Sequence, residues 1–249
     1  MENLKNEIKN YIPFNEQEEK DREIILELLE NEKDILTRDN KKCHFTVSAW
    51  IVDSSRKKVL MCYHNIYNSW AWLGGHADGD SNLRNVVLKE IEEESGIKNI
   101  KFLTEDIFSM EILTVNGHIK KGKYVSSHLH LNLTFLLEGN TEEKLFVKPD
   151  ENSGLDWINV EDISKKSSEK WFVDNIYSII MYGDENFAHK IIYNAIQGEY
   201  EKLIKTDITK EKLMEEFENF IDSSEYRRAE KKSACTLCEY GNICRREGI

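Results

Sequence analysis

Apolar and polar positions change period along this chain, and the changes divide it. In the first forty residues Ile24, Ile25, Leu28 and Leu29 fall at i, i+1, i+4 and i+5, a stripe that predicts a helical lead-in over residues 1–40. The period then drops to two. Phe45, Val47, Ala49 and Ile51 alternate with His44, Thr46, Ser48 and Trp50, which predicts a strand with two distinct faces. Asp53-Ser54-Ser55 supplies turn chemistry, and Val59–Cys62 reads as the returning strand. A helix is expected over about residues 81–95, strands near 108–115 and 128–137, and helix again from about Val160. Strands that enclose a helix, followed by more strands and then helices, predict an α/β or α+β sandwich over residues 41–165. Beyond Lys165 the spacing is helical, as in Phe187, Ile191, Ile192 and Ala195, so residues 166–249 read as a helical C-terminal extension ending in a cysteine cluster.

Composition narrows the function classes. A net charge of -12 argues against general nucleic-acid binding, which needs a basic footprint. It leaves a small phosphorylated substrate open, because bound cations supply positive charge locally. Charged residues at 32% with two prolines fit a well-solvated globular protein. The first twenty residues carry charge throughout and show no secretory pattern, and the apolar run near 176–182 is too short for a bilayer. These features point to a cytoplasmic protein without membrane attachment. A homodimer is one oligomeric state that the sequence admits.

The segment that carries chemistry is Gly74-Gly75-His76-Ala77-Asp78-Gly79-Asp80-Ser81, read as a tight exposed loop, and the helix after it, which ends Lys89-Glu90-Ile91-Glu92-Glu93-Glu94-Ser95-Gly96-Ile97. Asp80 or Ser81 is the expected N-cap and Gly96 the expected stop. At ~100° per residue, Leu83, Val86, Val87 and Ile91 share one side. Glu90, Glu93 and Glu94 overlap that side, while Arg84, Asn85, Lys89, Glu92 and Ser95 lie outward. Acidic runs are usually solvated faces. Carboxylates crowded on an inward arc repel one another unless a cation sits among them, and hard oxygen donors suit Mg²⁺ or Mn²⁺.

From Gly75 to Ile97 the spacing resembles the Nudix box, Gly-x5-Glu-x7-Arg-Glu-U-x-Glu-Glu-x-Gly-U, with U aliphatic. Gly75, Glu90, Ile91, Glu93, Glu94, Gly96 and Ile97 match, while Ser81 replaces Glu and Lys89 replaces Arg. The resemblance extends over roughly 44–163 and includes His44-Phe45-Thr46, Trp70, His128-Leu129-His130, and Glu151 ahead of Asp156-Trp157-Ile158. It is to a Nudix branch with a Gly-Gly-His-Ala-Asp-Gly-Asp loop. The resemblance implies a Nudix α/β/α sandwich with a mixed sheet, and hydrolysis of a nucleoside diphosphate linked to another moiety, such as ADP-ribose or a nucleotide sugar. It implies that Glu90, Glu93 and Glu94 hold Mg²⁺ or Mn²⁺, that Glu93, Glu94 or Glu151 is the base, and that the loop amides of Gly74 and Gly75 hold phosphate. Lys89 keeps the charge but not the guanidinium fork of the family's arginine. Asp78 and Asp80 are close enough in sequence to substitute partly for the carboxylate missing at Ser81. The departures keep a catalytically weak nucleotide-binding sensor open as the alternative.

His128, His130 and Asn132 should share one strand face. Together with His76 the two histidines are candidate substrate contacts, and Trp50, Trp70 and Trp72 are candidates for stacking on a base, although aromatic residues are more often core.

Cys235, Cys238 and Cys244 form a second constellation within ten residues. This tail resembles the C-terminal cluster tail of RecB-like exonucleases, which implies a [4Fe-4S] cluster with those three thiolates and Cys43 or Cys62 as the fourth. Zn²⁺ is the other metal considered, and free thiols on a frayed end are the plain reading. No matching nuclease core accompanies the tail. An interaction protein acting through that tail is the third function class.

Overall fold

In chain order the structure forms α1 (Glu2–Asn10), α2 (Glu16–Asn31), β1 (Cys43–Val52), β2 (Lys58–His64), β3 (Ser69–Ala71) and β4 (Leu73–His76). There follow α3 (Leu83–Ser95), β5 (Ile100–Phe102), β6 (Ser109–Val115), β7 (His118–Lys120), β8 (Lys123–Val125), β9 (His128–Gly139) and β10 (Asn152–Asn159). A 3₁₀ turn at Val160–Asp162 leads into the short helices α4 (Ile163–Lys166) and α5 (Lys170–Phe172). This computed structural model describes residues 1–13, 15–120, 122–178 and 180. Met1–Asp174 form one unit, and residues from Asn175 onward belong to a second. Most of the expected helical extension, with Cys235, Cys238 and Cys244, lies outside the described residues. No helix among the described residues is long and apolar enough to cross a membrane.

The sheet runs β10-β2-β1-β9-β5, with β3 on β2, β4 on β1 and β6 on β9. β1 and β9 are parallel, and the other pairs are antiparallel. A parallel pair needs a long crossover, and the segment between β1 and β9 contains α3. This is the mixed α/β architecture that the resemblance implies, one of the two classes that the pattern leaves open.

Register explains both faces of the central pair. Phe45, Val47, Ala49 and Ile51 lie opposite Leu131, Leu133, Phe135 and Leu137. All eight join the core with Leu83, Val86, Val87 and Ile91 of α3 and Leu4 and Ile8 of α1. The other face pairs His44 with His130, Thr46 with Asn132 and Ser48 with Thr134. It is polar and yet largely buried. Asn132 Oδ1 accepts from the Thr46 and Ser48 hydroxyls, both at 3.0 Å, and Asn132 Nδ2 donates to Glu111 Oε2 at 3.0 Å. Ser109 Oγ closes the network on Glu111 Oε1.

α2 protects the free edge of β6. Asp21 Oδ2 accepts the outward Ile112 amide hydrogen at 3.0 Å, so the edge is paired with a carboxylate rather than left open. The Tyr11 hydroxyl donates to Glu18 at 2.7 Å beside it.

Several expectations are corrected. Gly74, Gly75 and His76 lie in β4, paired with Ser48, Val47 and Thr46, rather than in an exposed loop. Asn82 caps α3 by accepting the Asn85 amide hydrogen at 3.3 Å, because Asp80 already accepts from Asn82 N. Ser95 is buried, with its hydroxyl on the Ile91 carbonyl, and Ile24 faces solvent. β10 is a strand without clean alternation, which is why period alone does not reveal it.

Glu111 is fully buried, and burial pushes its carboxyl well above the ordinary range despite the Asn132 donor. Above that ordinary range the unfolded chain ionises this group while the folded chain keeps the proton. Stability from the group is therefore present at acid pH and is lost as pH rises, by about 1.4 kcal/mol per pH unit. Glu111→Gln should remove the slope. Its melting temperature relative to wild type should rise by roughly 3–5 °C per pH unit from about pH 5 to 7, measured by thermal denaturation. A pH-independent difference contradicts a neutral Glu111.

Candidate active site

α3 carries the acidic residues and β4 receives them. No glycine or proline interrupts Leu83–Ser95, and Gly96 ends the helix in the left-handed region at φ 75, with its amide on the Glu92 carbonyl at 2.9 Å. The apolar face of α3 pulls Glu94 inward, where it is 4% exposed. Glu94 Oε2 accepts the Gly74 amide hydrogen at 3.1 Å. Glu90 presses its carboxylate against Gly75, where any Cβ would overlap it. A Cβ at Gly74 would run into the Val47 carbonyl. Both glycines thus set the closeness of helix, strand and neighbouring strand.

The segment before β10 completes the cluster. Asn152, fully buried, donates from Nδ2 to the Glu94 carbonyl at 3.1 Å, and the Phe146 amide donates to the Ser95 carbonyl at 2.8 Å. These bonds dock residues 146–152 on the end of α3 and bring Glu151 and Lys148 alongside. Lys148 Nζ lies 3.3 Å from Glu93 Oε2 and 3.1 Å from Glu151 Oε2, and Lys89 Nζ lies 3.6 Å from Glu93 Oε1. Glu90, Glu93, Glu94 and Glu151 therefore converge, with an ammonium group among them.

The electrostatics match the crowding. Burial, with added repulsion from Glu90 and Glu151, pushes the Glu94 carboxyl up to about 8, against the opposing Gly74 hydrogen bond. Burial first, then Glu93 and Glu151, raise Glu90, while Lys148 and Lys89 oppose. Such a set of oxygen donors fits Mg²⁺ or Mn²⁺, and the Lys148 ammonium marks where positive charge is wanted.

The NUDIX domain family matches residues 42–178, more than half of the chain. The chain belongs to the Nudix family. It is a Nudix-type pyrophosphohydrolase, and Nudix enzymes act on small-molecule nucleotides, typically with divalent metals such as Mg²⁺ or Mn²⁺. A solved NUDIX-family hydrolase from Clostridium perfringens is similar at 21% identity and TM-score 0.39, over 53% of this chain and 91% of that one. A C. elegans Ap4A hydrolase is similar at 17% identity and TM-score 0.39, over 55% and 96%. RenU, a Nudix hydrolase from M. smegmatis, is similar at 12% identity and TM-score 0.38, over 54% and 80%. No curated protein matches the chain.

The other expected residues separate into groups. Asp78 is held by the Arg38 guanidinium, with Arg38 Nε to Asp78 Oδ1 at 2.8 Å, and Asp80 accepts from Asn82. The Gly74 amide serves Glu94 rather than standing open for phosphate. Trp72 is buried with its ring edge-on to Phe172 at 6.0 Å, and Trp50 is buried as well. His76, His128 and His130 come together with His44. Cys43 and Cys62 are buried, and burial pushes both thiols up. A cavity of about 500 Å³ lies elsewhere, between α1 and the start of α3, and contains Ser81 but none of the cluster carboxylates.

Lys148, Asn152 and His44 are missed by sequence reasoning as site residues. Only a lysine three residues before Glu151 hints at the first, and nothing local marks the second.

Gly75→Ala should displace Glu90 and weaken Mn²⁺ binding with a modest change in melting temperature. Gly74→Ala, which meets backbone, should cost about 1–3 kcal/mol of stability. Metal titration and thermal denaturation of both variants test this, and wild-type Mn²⁺ affinity in Gly75→Ala contradicts the role given to Glu90.

Proposed function

We propose that this chain hydrolyses the phosphoanhydride of a nucleoside diphosphate linked to another moiety, of the ADP-ribose or nucleotide-sugar kind. The observation that carries the reading is the convergence of Glu90, Glu93, Glu94 and Glu151 around the Lys148 ammonium. Glu90, Glu93 and Glu94 would hold Mg²⁺ or Mn²⁺, with Glu151 beside them. The chemistry that a bound divalent ion supplies is neutralisation of the diphosphate and activation of water.

The chain's own residues do the rest. A carboxylate accepts the proton as water oxygen bonds to phosphorus, the anhydride P–O bond breaks, and the leaving phosphate takes its electron pair. Glu94, Glu93 and Glu151 are the candidates. Glu94 is held most rigidly, through Gly74, whereas Glu93 and Glu151 are more exposed and share Lys148. Gly75 leaves room for Glu90, and His76, His128 and His130 remain the candidate substrate contacts.

Ser81 favours a second reading. It lies in the cavity by α1, away from the cluster, so the family's carboxylate at that position is not supplied. A nucleotide sensor that binds without turnover is the consequence of that reading.

Release of phosphorylated products from a panel of nucleoside-diphosphate-linked compounds, with Mg²⁺ or Mn²⁺, separates the two. Turnover should fall on the order of 10²–10⁴-fold in Glu94→Gln and disappear in Glu93→Gln/Glu94→Gln. A folded, metal-loaded wild type that binds these compounds without cleaving them supports the sensor and contradicts the hydrolase reading.

A further inference from the structure

Four of the seven histidines meet on the sheet face opposite α3. β4, β1 and β9 are neighbours, and their register sets Thr46 opposite His76 and His44 opposite His130. Alternation along β4 turns Gly75 toward Glu90 and His76 the other way. One ligand nitrogen from each of His44, His76 and His130 lies within 4.8 Å of the others. His128 Nε2 is 3.2 Å from His130 Nε2.

The hydrogen bonds fix the tautomer of His44. Its Nδ1 is 3.1 Å from the Asn40 carbonyl oxygen, which can only accept, so Nδ1 carries hydrogen. In the neutral ring Nε2 then holds the lone pair. That atom is buried and has no hydrogen-bond partner, on a side chain only 4% exposed. A buried acceptor left without a donor forfeits its solvation with nothing in return. His128 repeats the pattern, with Nδ1 at 2.8 Å from the Ser126 carbonyl and Nε2 turned into the cluster. Metal-ligating histidines are oriented in this way, one nitrogen donating to a carbonyl and the other bare toward the ion.

We propose that His44, His76 and His130 form a second metal centre, for Zn²⁺, separate from the carboxylate cluster and with a fourth position open to His128, water or a substrate atom. Three neutral imidazoles suit zinc, whereas the carboxylates of α3 suit harder ions. Tetrahedral coordination at about 2.0–2.1 Å places ligand nitrogens roughly 3.3 Å apart. The His128–His130 separation, 3.2 Å, is close to that value, and the ligand nitrogens of His44, His76 and His130 lie within 4.8 Å of one another. The site explains why the Nε2 of His44 is buried without a donor, and it does not rest on the hydrolase reading.

The test is titration of chelator-stripped full-length protein with Co²⁺, followed by its optical spectrum and then by Zn²⁺ displacement. One equivalent should give tetrahedral visible bands without a near-ultraviolet thiolate charge-transfer band, which separates this site from the tail cysteines. His44→Ala should abolish the bands. His76→Asn, a change at a partly exposed position that tests the site should His44→Ala fail to fold, should weaken binding by more than the roughly 10–100-fold lost with an outer-shell partner. Glu93→Gln/Glu94→Gln should leave the spectrum intact. Absence of the bands in wild type, or wild-type binding in folded His76→Asn, overturns the proposal.

Discussion

Glu94 is buried where α3 meets β4 and accepts the Gly74 amide hydrogen, beside a strand–strand contact with Val47 that leaves no room for a side chain on Gly74. Much of the structure follows from that contact. The face of α3 that carries Val86, Val87 and Ile91 into the core also carries the carboxylates, so packing the helix forces the acids together. Burial of Leu83, Val86, Val87 and Ile91 contributes at most roughly 6–12 kcal/mol. That exceeds the few kcal/mol by which burial of Glu94 disfavours its charged form. Hydrophobic packing therefore holds a charge arrangement that would not assemble on its own account.

The same sheet separates two kinds of donor. On the α3 side, carboxylates gather and a lysine from the segment before β10 lies among them. On the other side, the parallel pairing of β1 with β9 lines up histidines, and farther along it lines up Thr46, Ser48, Asn132 and Thr134. Glu111 completes that row, its carboxyl pushed well above the ordinary range by burial. A two-residue period accounts for both, since each step along β1 alternates core with polar face.

The parts of the molecule legible from the sequence are those with local periodicity. The alternation of 44–51 marks β1, and the wheel of α3 places Val87 and Ile91 inward. Glu94 follows the same arc inward, while Glu93 sits at its edge, with 43% of its side chain exposed. What could not be read depends on tertiary partners. Gly74–His76 look like a turn because glycine is permissive, yet pairing with β1 makes them a strand. Lys148 and Asn152 acquire roles only when Asn152 meets the end of α3, which no spacing reports. His44 looks like one polar residue in an alternating strand, and becomes a cluster member through register with His130.

On the proposed reading, the four carboxylates form a divalent-cation site whose charge Lys148 partly satisfies. Anomalous diffraction at the manganese edge, from crystals equilibrated with Mn²⁺, tests it most directly. A peak is expected among Glu90, Glu93, Glu94 and Glu151, with the Lys148 ammonium moved away from Glu93. No peak there, with Lys148 still bridging Glu93 and Glu151, would contradict it.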